Sequence, residues 1–239
     1  MVIFMGNLAE QIGYTYKDYI TWTGKIRYEI IDGVAYAMAS PSQEHQEISG
    51  ELHGRLWQFL RGKTCKVFHA PFDVRLNFNS FDNIVVQPDL LVVCDKSKLN
   101  GSSVKGAPDL IIEILSPSNT RHDTDLKFKL YQRAGVREYW IVDPKYYTVQ
   151  VYILKNGKYG VGSAYTDDTV IPVHVLEGCE INLADVFYDT LESEFDENEA
   201  REESVKRKII DAMKNYGISD EQIEKIIDEA DNDNGDNAE

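Results

Sequence analysis

Two acidic residues stand inside apolar runs of the sequence, where their carboxylates could bind a metal ion. Asp89 lies in the run 84–93 and Glu113 in the run 107–116, and both runs are rich in Val, Ile and Leu. An ionised carboxylate in such surroundings is costly unless it is paired or bound to a metal. If the runs form neighbouring strands, the two carboxylates, a backbone carbonyl and waters would suit Mg²⁺. A metal held there can polarise a phosphoryl oxygen and lower the pKa of bound water.

Hydrolysis would also benefit from a cation beside the attacking water. Lys127 is the candidate, and Tyr131, one helical turn further on, would share its face of the helix. Glu29 could face the metal from a hairpin strand, or it could point outward. His45 could position a phosphate or a water, or it could cap a helix.

Structural roles remain open for the three leading residues. Asp89 could cap a loop at a strand bulge, and Glu113 could form a buried salt bridge with Arg121 or Lys127. Lys127 also lies four residues after Asp123, and an exposed pair at that spacing contributes only a few tenths of a kcal/mol.

The elements that must position these residues follow from turn signals and apolar periodicity. Asp32-Gly33 and Asn156-Gly157 each separate two strand-like runs and predict hairpins. Apolar residues three and four positions apart predict a helix over 43–61. A second helix is predicted over 123–134, between apolar strands, which implies a βαβ unit in a mixed sheet.

Net charge is concentrated at the C-terminal end. Residues 192–239 contain 17 acids and 6 bases, a balance of −11, whereas the other 191 residues carry −4. The near-neutral part permits a nucleic-acid site without indicating one. We therefore expect a folded domain over 1–191, an acidic helical extension over 192–230 and a disordered tail over 231–239. The extension could hold a homodimer together.

Composition also bears on the location of the protein. No apolar run approaches the roughly 20 residues needed to cross a bilayer, so no membrane span is expected. Cys65, Cys94 and Cys179 are odd in number and far apart. They predict reduced thiols in a cytoplasmic protein.

Several motifs in order resemble the Uma2 (DUF820) family of endonucleases, within the restriction-endonuclease-like PD-(D/E)XK superfamily. The resemblance covers roughly residues 14–185 and is carried by Tyr28-Glu29-Ile30-Ile31-Asp32-Gly33, Ser40-Pro41 with His45, Gln87-Pro88-Asp89, Pro108-Asp109-Leu110, Glu113-Ile114-Leu115-Ser116-Pro117-Ser118, Asp125 with Lys127 and Tyr131, and Glu138-Tyr139-Trp140-Ile141-Val142-Asp143-Pro144.

That resemblance implies an α/β (α+β) fold with a mixed central sheet flanked by helices, and cleavage of DNA phosphodiester bonds with Mg²⁺ or Mn²⁺. Asp89 and Glu113 would bind the metal, and Asp89, Glu113 and Lys127 would be catalytic. Glu47 and Glu51 are further candidates, because this superfamily often takes another acid from the first long helix.

One position departs from the superfamily pattern. The lysine expected two residues after the second acid is Leu115, which can neither orient water nor stabilise charge. The resemblance offers Lys127 as a substitute, since some members take the cation from the next helix. The alternative class is a nuclease fold that binds nucleic acid or protein without catalysis, which Leu115 and the negative net charge favour.

Truncation after Leu191 is expected to leave the core folded, because the predicted core strands and helices are complete by that residue. Urea unfolding of the truncated protein, followed by circular dichroism, should show one cooperative transition. Loss of that transition would show that 192–239 belong to the core or to an obligate dimer.

Overall fold

Two larger β-sheets, one two-stranded sheet and the helices beside them make up the described part of the chain. The computed structural model describes residues 13–78, 80–116, 121–190 and 207, so the predicted tail and all but one residue of the predicted extension lie outside the described residues. The helices are α1 (Tyr16–Tyr19), α2 (Gln43–Leu60), α3 (Arg121–Ala134) and α4 (Leu183–Val186). The strands are β1 (Tyr28–Ile31), β2 (Val34–Ala37), β3 (Lys66–His69), β4 (Asp73–Arg75), β5 (Val85–Val86), β6 (Leu90–Val93), β7 (Ser103–Lys105), β8 (Leu110–Ile114), β9 (Glu138–Asp143), β10 (Thr148–Lys155), β11 (Lys158–Tyr159), β12 (Ser163–Thr166), β13 (Val170–Pro172) and β14 (Glu180–Asn182).

The larger sheet is mixed, as the sequence predicted. Its strand order is β11-β10-β9-β8-β6-β3, with β12 also paired to β10. β8 and β9 are parallel and α3 connects them, whereas β6 pairs with β8 and β3 in antiparallel fashion. A parallel pair needs such a crossover connection, so the predicted βαβ unit and the mixed α/β fold are confirmed.

Both predicted hairpins are confirmed. Asp32 and Gly33 join β1 to β2 with φ angles of 51° and 82°, and Asn156 and Gly157 join β10 to β11 with φ angles of 51° and 76°. Two successive positive φ angles are the requirement of the tight turn that matches the twist of a hairpin, which is why Asx-Gly pairs stand there.

A single strand over 84–93 was expected, and this prediction is wrong. β5 lies in the smaller sheet, of order β2-β1-β5-β4-β7, whereas β6 lies in the larger one. Pro88 separates them, and it has no N–H group to donate to a ladder. The chain therefore changes sheets at residues 87–89, and this break is where Gln87 and Asp89 stand.

Helix α2 packs one apolar stripe into the core. Ile48, Leu52, Leu56 and Leu60 are buried at the predicted spacing. Each such side chain contributes roughly 1.5–3 kcal/mol by leaving water. The Ser42 side chain caps the helix by accepting a hydrogen bond from the backbone N–H of His45 at 3.2 Å.

The expectation of three reduced thiols is wrong in this structure, because Cys65 and Cys94 form a disulfide. β3 and β6 are antiparallel with Lys66 opposite Val93, so one position further along places the two cysteines opposite each other. Cys179 is a buried free cysteine. None of the described helices is long and apolar enough to cross a membrane.

The disulfide predicts a redox-dependent stability. Its cysteines are 29 residues apart, so the chain-entropy model gives about 3.5 kcal/mol of stabilisation from constraining the unfolded chain. Cys94→Ser should lose this amount in urea unfolding without reductant, and wild-type protein in dithiothreitol should lose a similar amount. Identical unfolding curves for wild-type protein with and without reductant would contradict the bond's contribution.

Candidate active site

Asp89 and Glu113 meet where β6 and β8 lie side by side. Leu90 pairs with Ile112 in the antiparallel ladder, and continuing that register by one residue puts Asp89 opposite Glu113. At this position a side chain accepts the hydrogen bond in place of a backbone carbonyl. Asp89 Oδ2 accepts from the Ile114 N–H at 2.8 Å. The structure thus brings together the two acids that the sequence singled out.

Lys127 reaches the same place from α3. Its Nζ lies 2.9 Å from Glu113 Oε1 and 3.1 Å from Glu29 Oε2. Tyr131, one turn later and fully buried, donates its hydroxyl to the same Glu113 oxygen. The predicted shared face of Lys127 and Tyr131 is therefore present, and Leu115 lines the cleft without supplying charge.

Glu29 faces the site rather than solvent. It lies on β1 in the smaller sheet and is 5 % exposed. The backbone N–H of Gln87 donates to Glu29 Oε1 at 2.8 Å, which fixes the carboxylate towards Lys127. Both sheets thus contribute an acid to one ammonium group.

His45 contacts Asp89. Its Nε2 lies 3.2 Å from Asp89 Oδ2, and its Nδ1 is buried without a hydrogen-bond partner among the described residues. The cap of α2 is Ser42, so His45 does not serve as the cap residue. Burial lowers the pKa of the imidazole, but the hydrogen bond and charge of Asp89 outweigh this and raise it overall.

Burial and charge act against each other on Glu113 and Lys127. Burial raises the pKa of the Glu113 carboxyl to about 7, although the Lys127 ammonium opposes the rise. Burial disfavours the ammonium too, but the charges of Glu113 and Glu29 prevail and raise the pKa of Lys127. Lys127 is therefore charged at neutral pH.

A cleft of about 500 Å³ opens onto these groups. Glu29, His45, Asp89, Glu113 and Lys127 all line it. The cleft walls do not include Glu47, which accepts from Gln43, or Glu51, which pairs with Arg55 at 3.1 Å. The structure therefore does not bring either α2 candidate to the site.

Arg27 and the side chain of Gln87 are among the cleft residues that were not site candidates from the sequence. One signal was available for Arg27: it immediately precedes β1, two positions before Glu29, and Glu29 was already a candidate. Gln87 stood in the motif Gln87-Pro88-Asp89, but its side-chain partners are distant in sequence, so its contacts had no local signal.

The donor set fits a hard divalent cation that keeps several waters. Among the described residues, no three His, Cys, Asp or Glu side chains are arranged to hold a metal by themselves. Mg²⁺ commonly binds through one or two carboxylates and completes its shell with water. The oxygens of Asp89 and Glu113 match that requirement.

Comparison with known proteins agrees with this architecture. A crystal structure described as a "putative nuclease belonging to DUF820" from Anabaena variabilis superposes with a TM-score of 0.60 over 73 % of this chain and 98 % of its own, at 19 % identity. At this identity the likeness shows that the two chains share a fold.

An uncharacterized protein of Synechocystis sp., slr1290, is 28 % identical over 139 residues, which span 57 % of this chain and 72 % of that protein. The model of the Uma2 family, described as "Putative restriction endonuclease", matches residues 16–184. Because this match spans well over half of the sequence, the chain belongs to the Uma2 family.

Proposed function

We propose that the protein is a Mg²⁺-dependent endonuclease that hydrolyses phosphodiester bonds in DNA, with Mn²⁺ able to replace Mg²⁺. Membership of a family described as restriction endonucleases supports the reaction class. The observation that supports the proposal most is the 2.9 Å contact between Lys127 and Glu113. It brings an ammonium group from α3 to the place that Leu115 leaves without one.

The proposed roles follow from the contacts. Asp89 and Glu113 would bind the metal, which supplies an activated water and polarises the phosphoryl oxygen when bound. Lys127 would donate a hydrogen bond to the attacking water and stabilise the negative charge that develops on the phosphoryl oxygens.

The remaining residues would keep this geometry in place. Glu29 would hold the ammonium of Lys127 from the opposite side, and Tyr131 would hold one Glu113 oxygen through its hydroxyl. His45 would hold Asp89 Oδ2, which leaves the second Asp89 oxygen for the metal.

A nuclease fold that binds DNA or protein without catalysis is the second candidate. The observation that favours it is the apolar side chain of Leu115 in the cleft, at the position where the superfamily pattern has a lysine. Cleavage separates the two candidates, since a binding module leaves DNA intact at any metal concentration. A homodimer held by 192–230 and a cytoplasmic location stay predictions.

Replacing either metal-binding acid is expected to abolish cleavage. Asp89→Asn and Glu113→Gln keep the size of each side chain but remove the charge that Mg²⁺ needs. Both variants should cleave single-stranded, duplex and branched DNA at least about 10²-fold more slowly, in line with the loss of metal activation. Mn²⁺ affinity, followed by electron paramagnetic resonance, should fall in parallel.

The matched control is Glu51→Gln, which changes the same chemistry on α2 outside the cleft. It should cleave DNA and bind Mn²⁺ as the wild-type protein does. Wild-type cleavage in both Asp89→Asn and Glu113→Gln would contradict the assignment of the metal site.

Lys127→Met should impair both activity and stability. Loss of the ammonium is expected to slow cleavage by about 10²- to 10⁴-fold, the usual contribution of a positioned catalytic group. It also leaves Glu29 and Glu113 buried without their cation, which should cost about 3–5 kcal/mol in urea unfolding. Lys127→Arg keeps the charge, so its free energy of unfolding should be closer to the wild-type value than its cleavage rate is. A folded Lys127→Met protein with the wild-type cleavage rate would rule out the catalytic role.

A further inference from the structure

We propose that Arg27 binds a phosphodiester group of DNA in the cleft, an assignment that rests on the proposed nuclease function. Arg27 immediately precedes β1 and lines the same cleft as Asp89, Glu113 and Lys127. It would bind the substrate backbone by charge and hydrogen bonds, separately from the metal.

The backbone of Arg27 is held by the first hairpin. The Met38 N–H donates to the Arg27 carbonyl at 2.9 Å, which extends the ladder of β1 and β2 by one position. Side chains alternate along a strand, so residues 27, 29 and 31 share one face. All three line the cleft, and the guanidinium of Arg27 is therefore presented on the same face as the carboxylate of Glu29.

A buried glutamine accepts a hydrogen bond from the guanidinium. Gln87 is 6 % exposed, and its Nε2 donates to the Tyr19 hydroxyl at 2.8 Å and to Asp73 Oδ1 at 2.9 Å. These two contacts use both amide hydrogens and leave Oε1 as an acceptor. Arg27 Nη1 donates to that oxygen at 3.4 Å.

Arg27 also differs from four other arginines of the fold, because its hydrogen-bond partner is a neutral side chain. Arg55, Arg75, Arg133 and Arg137 each pair with a carboxylate. Among the described residues Arg27 forms no ion pair, and its hydrogen bond to Gln87 uses one of five guanidinium donors. The others can bind an anion without breaking an existing salt bridge.

The acidic residues of the cleft favour a further cationic side chain where an anionic phosphodiester is to bind. Three carboxylates line it, from Glu29, Asp89 and Glu113, and Lys127 already contacts two of them. A phosphodiester anion entering this cleft meets excess negative charge, which Arg27 offsets together with the metal. A guanidinium can contact two phosphate oxygens at once, which a lysine ammonium does less well.

The test measures DNA binding separately from cleavage. Fluorescence anisotropy of a labelled short duplex, and of its single strand, is recorded with Ca²⁺ over a series of KCl concentrations, with a gel to confirm intact DNA. Arg27→Met is expected to bind about ten- to a hundredfold more weakly, as for loss of charge-assisted hydrogen bonds. The slope of log affinity against log salt should become shallower by about 0.7–0.9, the value for one phosphate contact.

Arg133→Met is the matched control, because Arg133 is exposed, pairs with Asp32 and lies outside the cleft lining. Its binding and salt slope should stay at wild-type values. Arg27→Lys keeps the positive charge but loses the forked donors of the guanidinium. Its DNA affinity should therefore lie between those of Arg27→Met and wild-type protein. Arg27→Lys also serves as the test variant if Arg27→Met does not fold.

The possible failures are distinguishable. If wild-type protein cleaves DNA and Arg27→Met, or Arg27→Lys in its place, binds DNA with wild-type affinity and salt slope, the Arg27 assignment is overturned and the nuclease function stands. If wild-type protein binds DNA without cleaving it, and Arg27→Met weakens that binding, the Arg27 site stands and the nuclease function fails. If wild-type protein neither binds nor cleaves DNA, both are overturned.

Discussion

The ammonium of Lys127 lies between two buried carboxylates, and the rest of the site depends on that contact. Glu29 comes from the smaller sheet, Glu113 from the larger sheet and Lys127 from α3, so one cation joins three separate elements. Burying two acids without it would be strongly unfavourable, because each carboxylate would lose its hydration without compensation. The same pairing that stabilises the fold at this point also brings a charged donor to the acids Asp89 and Glu113.

The change of sheets at Pro88 explains why the site lies where it does. Because β5 ends before this residue and β6 begins after it, the chain crosses between the two sheets at 87–89. Gln87 uses its backbone to hold Glu29 and its side chain to hold Arg27, whereas Asp89 contacts the backbone after Glu113. A proline that interrupts one apolar run thereby places two polar residues beside the cleft.

Local patterns in the sequence predicted the elements, and two acids inside apolar runs predicted that their carboxylates would come together. The Asx-Gly hairpins, the apolar stripe of α2 and the βαβ unit depend on short-range rules, and the convergence of Asp89 with Glu113 needed only that their strands be neighbours. The disulfide was not predictable, because it depends on the register between β3 and β6. The contacts of Gln87 join residues up to 68 positions apart, and no local pattern reports them.

The proposed function depends on the binding of a divalent metal by Asp89 and Glu113 beside the Lys127 ammonium. The most direct measurement is the anomalous scattering of Mn²⁺ in crystals of the full-length protein soaked with MnCl₂. We expect one strong peak in contact with carboxylate oxygens of both acids, with a metal-bound water within hydrogen-bond distance of Lys127 Nζ. Crystals that show no peak there, with Lys127 still paired to Glu113 at saturating Mn²⁺, would contradict it.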